Sequence, residues 1–361
     1  MRYYKIAELI IKSEFRLACF EDFLCEESQE SILISKTVEL PPSGADVRSG
    51  SIIHRRLKDG WFFYDESNDQ AGVYISNDYT NLRILGVEDD IVLGTMEWFV
   101  RIAIECVLAR KGYVSLHAAS VELNGEAFAF SAPSGVGKST RAEAWIKELN
   151  AKLINGDRPL IDVRQGELYG VPWDGKEHCF RNVHYPLRVI CEVRRSTSVY
   201  IRKMTFAQRR KLLLQQCFLP MWDTETAAIQ MANINRLAKS ANIVRIFCGP
   251  LEEDARRLYD EIKENKYLEE KKDMVAKQGF VLRNVVDEHI LMPTGDNIGK
   301  FNGTVLFNDV SAFVWEKLQS PMSREDLLQA VLDEFEVEKD AAETDLDALL
   351  KQLYEFGVIE E

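Results

Sequence analysis

Short apolar runs separated by turn residues fill the first ninety positions, and that alternation predicts strands. The candidates are Ile32–Ser35, Trp61–Tyr64, Gly72–Ser76 and Leu82–Leu85, divided by Pro41–Gly44, Lys58–Gly60 and Ser67–Asp69. His54, beside Arg55 and Arg56, reads as a surface strand residue rather than a ligand. From Met96 to Arg110 the stretch is mostly apolar at helical spacing, which predicts a buried helix. Two apolar runs follow, Tyr113–Leu123 and Ala127–Phe130, with Asn124-Gly125 between them. Asn-Gly between such runs is a strong hairpin signal, because both central residues of the turn must take positive φ. His117 is expected on the first strand of that hairpin.

The second hairpin strand runs straight into Ser131-Ala-Pro-Ser-Gly-Val-Gly-Lys-Ser-Thr140, and Arg141–Leu149 then has helical spacing. Strand, glycine-bearing turn and helix make the setting of a phosphate-binding loop. Gly135 and Gly137 let successive N–H groups curl into one concavity, and the helix adds the positive end of its dipole. Ser134, Gly135, Val136, Gly137, Lys138, Ser139 and Thr140 are the expected ATP contacts. Lys138 would reach the β- and γ-phosphates, and the Ser139 hydroxyl would ligate Mg²⁺. Ala132 stands where the general motif has its first glycine, so only the inner Gly-x-Gly-Lys-Ser is intact.

A strand over Ala151–Asn155, taken as a neighbour of the phosphate loop, ends at Gly156-Asp157-Arg158. A carboxylate at that place would meet Mg²⁺ or an attacking hydroxyl, which makes Asp157 the second catalytic and metal candidate. The plainer alternative is a turn cap before Pro159. Strands are then expected over Pro159–Val163, Leu168–Val171 and Arg188–Val193. Between them Trp173–Asn182 reads as a polar loop with an exposed Trp173, of the kind that covers substrates. His178 and His184 read as solvated loop residues. Helices over Thr205–Phe218 and Thr224–Ser240, a strand over Asn242–Phe247 and an amphipathic helix from Leu251 to about Lys272 complete this region. The run Glu264–Lys272 reads as a solvated helix end. From Gly279 the pattern becomes three short strands (Phe280–Arg283, His289–Met292, Thr304–Phe307) and three amphipathic helices (Asp309–Gln319, Ser323–Phe335, Val337–Glu355). No nucleophile or metal cluster occurs among them, so this tail is expected to bind rather than catalyse.

The 361 residues suggest two or three domains, divided as a β-rich region 1–90, a nucleotide-binding domain 91–275 and a small domain 279–361. A net charge of −13 disfavours nucleic-acid or anionic-membrane partners. The seven cysteines are scattered without a Cys-x-x-Cys pair, which argues for reduced, mostly buried thiols. With no signal peptide or membrane span in the pattern, the expected location is the cytoplasm.

His117, the hairpin, Ser134–Ser139 and Ile154-Asn-Gly-Asp-Arg158, in that order, resemble HPr kinase and its relatives. Val171-Pro-Trp-Asp-Gly-Lys176 and Tyr185-Pro-Leu-Arg-Val-Ile190 are similar to further blocks of the related bacterial serine kinases. The resemblance covers roughly residues 110 to 262. It implies an α/β, mixed-sheet P-loop kinase of the HPr kinase and phosphoenolpyruvate carboxykinase type. It also implies that Lys138 and Ser139 hold ATP and Mg²⁺, that His117 lies beside the transferring phosphate, and that Asp157 matches one acid of an Asp-Asp pair. Gly156 replaces the other acid, so Asp157 serves alone or shares its task with His117.

The tail, through Val305-Leu-Phe-Asn308, Ala312, Trp315, Met322–Leu328 and Leu353–Ile359, resembles PqqD-like precursor-peptide recognition domains. That implies a small α+β, winged-helix-like domain, with a leader peptide added as a further strand to its sheet and bound by residues 279–361. The expected function is phosphorylation of a Ser (or Thr) hydroxyl on a ribosomally made precursor peptide. A kinase of free serine and a non-catalytic ATP-binding scaffold are the alternatives. The sequence leaves open whether the chain forms a homo-oligomer.

Overall fold

The structure, a computed structural model, describes residues 1–39, 44–49, 52–65, 68–86, 90–91, 95–133, 135–173, 180–196, 198–249, 253–264, 273–285, 288–298 and 305–360. Ser134, His178, most of the Trp173–Asn182 loop and nearly all of Glu264–Lys272 therefore lie outside the described residues. The chain forms two compact units of mixed α/β character. The first comprises Met1–Arg195, Arg202–Ile246 and Pro250–Arg257; the second comprises Ser196–Ile201, Phe247–Gly249 and Leu258–Glu361.

The first unit opens with an eight-stranded mixed sheet. Its spatial order is Arg2–Ile6, Leu9–Ser13, Ile32–Thr37, Asn81–Leu85, Asn68–Ser76, Gly60–Asp65, Ile52–Arg56 and Asp46–Ser49. One face carries Tyr4, Ile11, Ile34, Trp61, Phe63, Val73 and Ile84, packed with Phe99, Val100 and Ala103 of the helix Thr95–Arg110. That helix is the expected buried one. His54 does lie on a strand, yet it is half-buried, stacked on Phe63 at 5.6 Å, and burial pushes its imidazole down. The expectation of a surface position is thereby corrected.

A hydrogen-bonded node ties this sheet to the rest of the unit. The Tyr79 hydroxyl donates to Asp223 at 3.0 Å and the Arg110 guanidinium reaches the same carboxylate at 3.2 Å. Trp222 Nε1 donates to the Tyr79 oxygen at 3.2 Å. Asp223 is also the N-cap of the helix Thr224–Ser240, accepting from Glu225 and Thr226 N–H groups.

The second sheet of this unit follows the order Tyr113–Ser115, Leu160–Asp162, Glu167–Tyr169, His184–Arg195, Glu126–Ser131, Ala118–Leu123, Lys152–Asn155, with Ile243–Cys248 also paired to His184–Arg195. The hairpin forms as expected: Asn124 and Gly125 take φ of 55° and 81°, the values of a two-residue turn whose twist matches its strands. Glu126–Ser131 is covered on both faces, so its side chains sort by period two. Phe128 and Phe130 meet Trp145 of the helix Lys138–Leu149, at 4.9 and 5.1 Å between ring centres. Ala127 and Ala129 face Leu212, Leu213, Ile234 and Leu237 from the helices Phe206–Gln216 and Thr224–Ser240.

Two expectations change here. Lys152–Asn155 pairs with Ala118–Leu123 and not with the strand that feeds the phosphate loop. His184 opens the long strand His184–Arg195, stacked on Tyr169 and bonded to Glu167 at 3.0 Å, instead of lying in a loop.

In the second unit, Phe280–Val285, Glu288–Pro293 and Val305–Phe307 form an antiparallel three-stranded sheet. The helices Asp309–Lys317, Arg324–Glu334 and Lys339–Glu355 follow. Leu291, Phe307, Trp315, Leu327, Val331, Leu346, Leu350 and Leu353 make its core. Asn308 and Ser323 cap the first two helices, Ser323 through Asp326 N–H. A short antiparallel pair, Val275–Ala276 with Ile359–Glu360, joins the stretch before the three-stranded sheet to the end of the last helix.

No disulfide forms among the described cysteines; Cys106, Cys191 and Cys248 are buried, while Cys19, Cys25 and Cys217 are half-buried. Among the described residues no helix is long and apolar enough to cross a membrane.

Candidate functional site

The candidate site is built where the hairpin, the strand Lys152–Asn155 and the helix Lys138–Leu149 end together. The loop before that helix turns at Gly135 (φ 79°) and Gly137 (φ 120°), backbone conformations that glycine adopts without strain. A Cβ added at either position would meet nothing within 4 Å, so the concavity in front of them is open. Gly137 is the helix N-cap and no side chain caps the first turn, which also lacks an acid. The N–H groups at this end are thus left for a ligand, and the dipole favours an anion there.

Lys138 is buried, its ammonium donating to the Ala132 carbonyl at 3.1 Å. Burial pushes this amine down, the nearby Asp157 carboxylate pulls it back, and Arg158 opposes it, with a net lowering. Ser139 and Thr140 are exposed, and Val136 is half-exposed. On the outer side of the loop the Arg195 guanidinium donates to the carbonyls of Gly135 at 2.6 Å and Val136 at 3.2 Å. The Val136 N–H, in the same peptide plane as the Gly135 carbonyl, donates to the Pro133 carbonyl at 3.4 Å.

Asn155 fixes the turn that carries the acid. It is fully buried, and its Oδ1 accepts from the N–H groups of Asp157 at 3.0 Å and Arg158 at 2.7 Å. Its Nδ2 donates to the carbonyls of Val171 at 3.1 Å and Trp173 at 3.2 Å. The turn chemistry at Gly156-Asp157 therefore belongs to Asn155, and the Asp157 carboxylate is left for other partners. Trp173, expected to be exposed, is 6% exposed and packs in the large core beside Phe20. The Asn155 bond to its carbonyl helps to hold it inward.

Asp157 and His117 meet. His117 Nε2 lies 3.2 Å from Asp157 Oδ1, and Arg158 Nε lies 3.8 Å from Oδ2. Both the His117 and Asp157 side chains are about a quarter exposed, at 25% and 27%. His117 does not sit on the hairpin strand as expected, but in the break between Tyr113–Ser115 and Ala118–Leu123. The break has a cause: the His117 N–H donates to the Gln216 carbonyl at 2.8 Å, and the Ala118 N–H to Asp157 O at 2.7 Å. Ser131, the last residue before the loop, donates its hydroxyl to the His117 carbonyl at 2.9 Å. His117, Asp157 and the base of the loop are thereby joined through backbone groups.

Burial acts to raise the Asp157 carboxyl. The His117 hydrogen bond and the charges of His117, Arg158 and Arg101 outweigh it and hold Asp157 below the ordinary carboxylate value. The acid is consequently ionised at neutral pH, ready for a cation or a proton. Among the described residues no group of three or more His, Cys, Asp or Glu is placed to hold a metal. Mg²⁺ is commonly bound by one or two carboxylates together with a substrate's phosphates, so Asp157 and Ser139 suit it without such a cage.

Of the expected site residues, Gly135, Val136, Gly137, Lys138, Ser139, Thr140, Asp157 and His117 gather at this end of the sheet. Sequence reasoning gave no role to Asn155, Gln216, Arg195 or Arg101. Asn155 had a legible signal, an Asn two residues before an acid and followed by Gly. The other three come from distant helices or strand ends, and no local spacing marks them.

Residues 288–359 match the family described as Coenzyme PQQ synthesis protein D (PqqD). No curated protein matches the chain. Among solved structures, TbiB1 in complex with the TbiA(beta) leader peptide is 20% identical, with 24% of this chain and 94% of that one covered at a TM-score of 0.21. The lasso peptide synthetase B1 complexed with the leader peptide is 24% identical, with 25% of this chain and 99% of that one covered, again at a TM-score of 0.21. The family match alone puts a PqqD-like domain in the second unit, over residues 288–359.

Proposed function

We propose that the chain is an ATP-dependent kinase of HPr kinase type that phosphorylates a Ser (or Thr) hydroxyl on a ribosomally synthesised precursor peptide, whose leader is held by residues 279–361. The observation that carries the kinase reading is the joining of an ionised Asp157, held by His117 at 3.2 Å, to an uncapped glycine-bearing loop with a buried lysine. What supports the peptide reading is the PqqD match over residues 288–359.

The residues suit ATP and Mg²⁺. The loop amides and Lys138 would hold the phosphates, and Ser139 with Asp157 would hold the cation. Mg²⁺, when bound, supplies neutralisation of charge on the phosphate oxygens. Lys138 adds a fixed positive charge in a low-dielectric place, where its effect is larger than in water. Asp157 orients the acceptor hydroxyl and accepts its proton late, when a loose transition state has made that hydroxyl acidic. An acid held below its usual value is a poor base toward an unactivated alcohol, so positioning comes first and proton transfer second. The leader-binding unit raises the local concentration of the acceptor segment by tethering it.

A second reading, an ATP-binding scaffold without transfer, is favoured by one feature: Gly156 stands where the resembled kinases carry an acid. Labelled ATP separates the readings. Label on the peptide is expected; label on free serine would make the enzyme a small-molecule kinase, and no label on any acceptor would leave the scaffold.

A further inference from the structure

We propose that Arg101 is a further phosphate-binding residue, whose guanidinium takes oxygens of the terminal phosphate of ATP, with Glu105 as the buried positioning residue that holds it. The part played in transfer rests on the kinase reading above; the placement of the pair does not.

That placement follows from the helix Thr95–Arg110. Its Phe99, Val100 and Ala103 belong to the large core, and it packs against the strand Tyr113–Ser115. Between helix and strand the chain turns back at Gly112, whose φ is 89°. From Arg110 back to Arg101 the helix covers about 13 Å, at about 1.5 Å per residue. From Tyr113 forward to His117 the extended chain covers about as much, at roughly 3.3 Å per residue. Arg101 is therefore level with His117, at the end of the sheet where His117 meets Asp157. Its charge is among those that act on the Asp157 carboxylate, yet among the described residues no ion pair joins the two.

The pair leaves much of its bonding capacity unused. Glu105 lies one helical turn on, its side chain 1% exposed, and Arg101 Nε stands 3.4 Å from its Oε2. Neither Glu105 oxygen has a hydrogen-bond partner, and neither has Arg101 Nε, although all three atoms are buried. A buried carboxylate is costly unless a charge stands beside it, so Glu105 ties the arginine to this place. A guanidinium carries five donors in a rigid fork. Its two terminal nitrogens are neither bonded within the described residues nor shut off from solvent, the side chain being 16% exposed. A planar fork with its donors free, beside a loop that itself suits phosphate, fits an oxyanion.

The terminal phosphate is the oxyanion that falls there. Lys138 and the loop amides approach the triphosphate from the helix Lys138–Leu149, and Asp157 and Arg158 lie near enough to act on the Lys138 charge. The group between that lysine and Asp157 is the last of the three phosphates. Its charge is spread over three oxygens during transfer. Lys138 and the cation neutralise those toward the β-phosphate, and Arg101 takes those on the opposite side. Arg101 exchanges no proton and forms no covalent bond; it holds charge and orientation. ADP lacks this phosphate and gives Arg101 nothing to hold.

The test measures binding of ADP and of the β,γ-imido analogue of ATP to the full-length protein, both with Mg²⁺. Arg101→Lys keeps a positive charge beside Glu105 and loses the fork. Its affinity for the analogue should fall about tenfold, with that for ADP changed less than about twofold. Arg101→Met combined with Glu105→Leu removes both charges and leaves no unpaired one buried, and it should show the same selective loss. Glu105→Gln alone should lower analogue affinity several-fold and spare ADP. Affinities that stay unchanged, or that fall by one common factor for both nucleotides, in variants that melt cooperatively would overturn the proposal. An unmodified protein that binds neither nucleotide would sink it together with the kinase reading. The selective loss, in a protein that passes no label from ATP to any acceptor, would uphold Arg101 and sink the kinase reading alone.

Discussion

The end of the second sheet and the interior of the C-terminal unit are held together by opposite means. Around Asp157 several buried polar groups carry the structure through named bonds: Asn155 with four hydrogen bonds, Ser131 with the His117 carbonyl, Lys138 with the Ala132 carbonyl. In the C-terminal unit Trp315, Leu327, Leu346, Leu350 and Leu353 fill the space, and the polar side chains of Asn308 and Ser323 stay at helix starts. Hydrogen bonds specify direction as well as distance, whereas apolar packing specifies volume. The first region is accordingly sensitive to the exchange of a single donor for an acceptor, and the second to the loss of methylene groups.

Substitutions sharpen the contrast. The largest effect is expected from Lys138→Ala, which should lower phosphoryl transfer by about a thousandfold while peptide binding by residues 279–361 stays intact; titration of labelled leader peptide checks the second half. Loss of both would break the separation drawn here. Trp315→Ala should cost the C-terminal unit about 3–5 kcal/mol, read from its own melting transition, with nucleotide binding retained. Asp157→Asn should reduce turnover about a hundredfold and ATP affinity far less. Should nucleotide affinity fall by the same factor, the carboxylate holds metal and nothing more. The smallest effect is expected of Arg195→Ala: with the loop carbonyls released, the KM for ATP should rise several-fold at little changed kcat.

The same carboxylate gives a pH signature. Its folded value lies below that of the unfolded chain, so its contribution to stability is complete above about pH 4 and is lost as pH falls through the lower folded value. Asp157→Asn should therefore flatten the acid limb of the melting-temperature profile and leave the neutral region without that slope.

What could be read from the chain was periodic or carried by a turn dipeptide. The helix Thr224–Ser240 and the three strands and three helices of the tail appear where the pattern puts them. The hairpin at Asn124-Gly125 does so as well. The first two strands, Arg2–Ile6 and Leu9–Ser13, were illegible because the turn between them is Ala7-Glu8, with Ala7 at a φ of 51°, a residue that announces no turn. The break at His117 was illegible for another reason. It depends on the carbonyl at the end of a helix nearly a hundred residues further on, and no window of local sequence contains both partners. Trp173 reads as exposed because the residues that follow it are polar, while its ring packs beside Phe20 from far earlier in the chain.

Asn155 carries a hazard that its four bonds create. Conversion of its NH₂ to an oxygen changes neither size nor shape, yet it would set lone pairs against the carbonyls of Val171 and Trp173, both buried. Asparagine before glycine is also thermolabile and prone to this hydrolysis as a protein ages. Stored protein should therefore lose activity through a deamidation at position 155, visible by peptide mapping, while its C-terminal unit goes on melting as before.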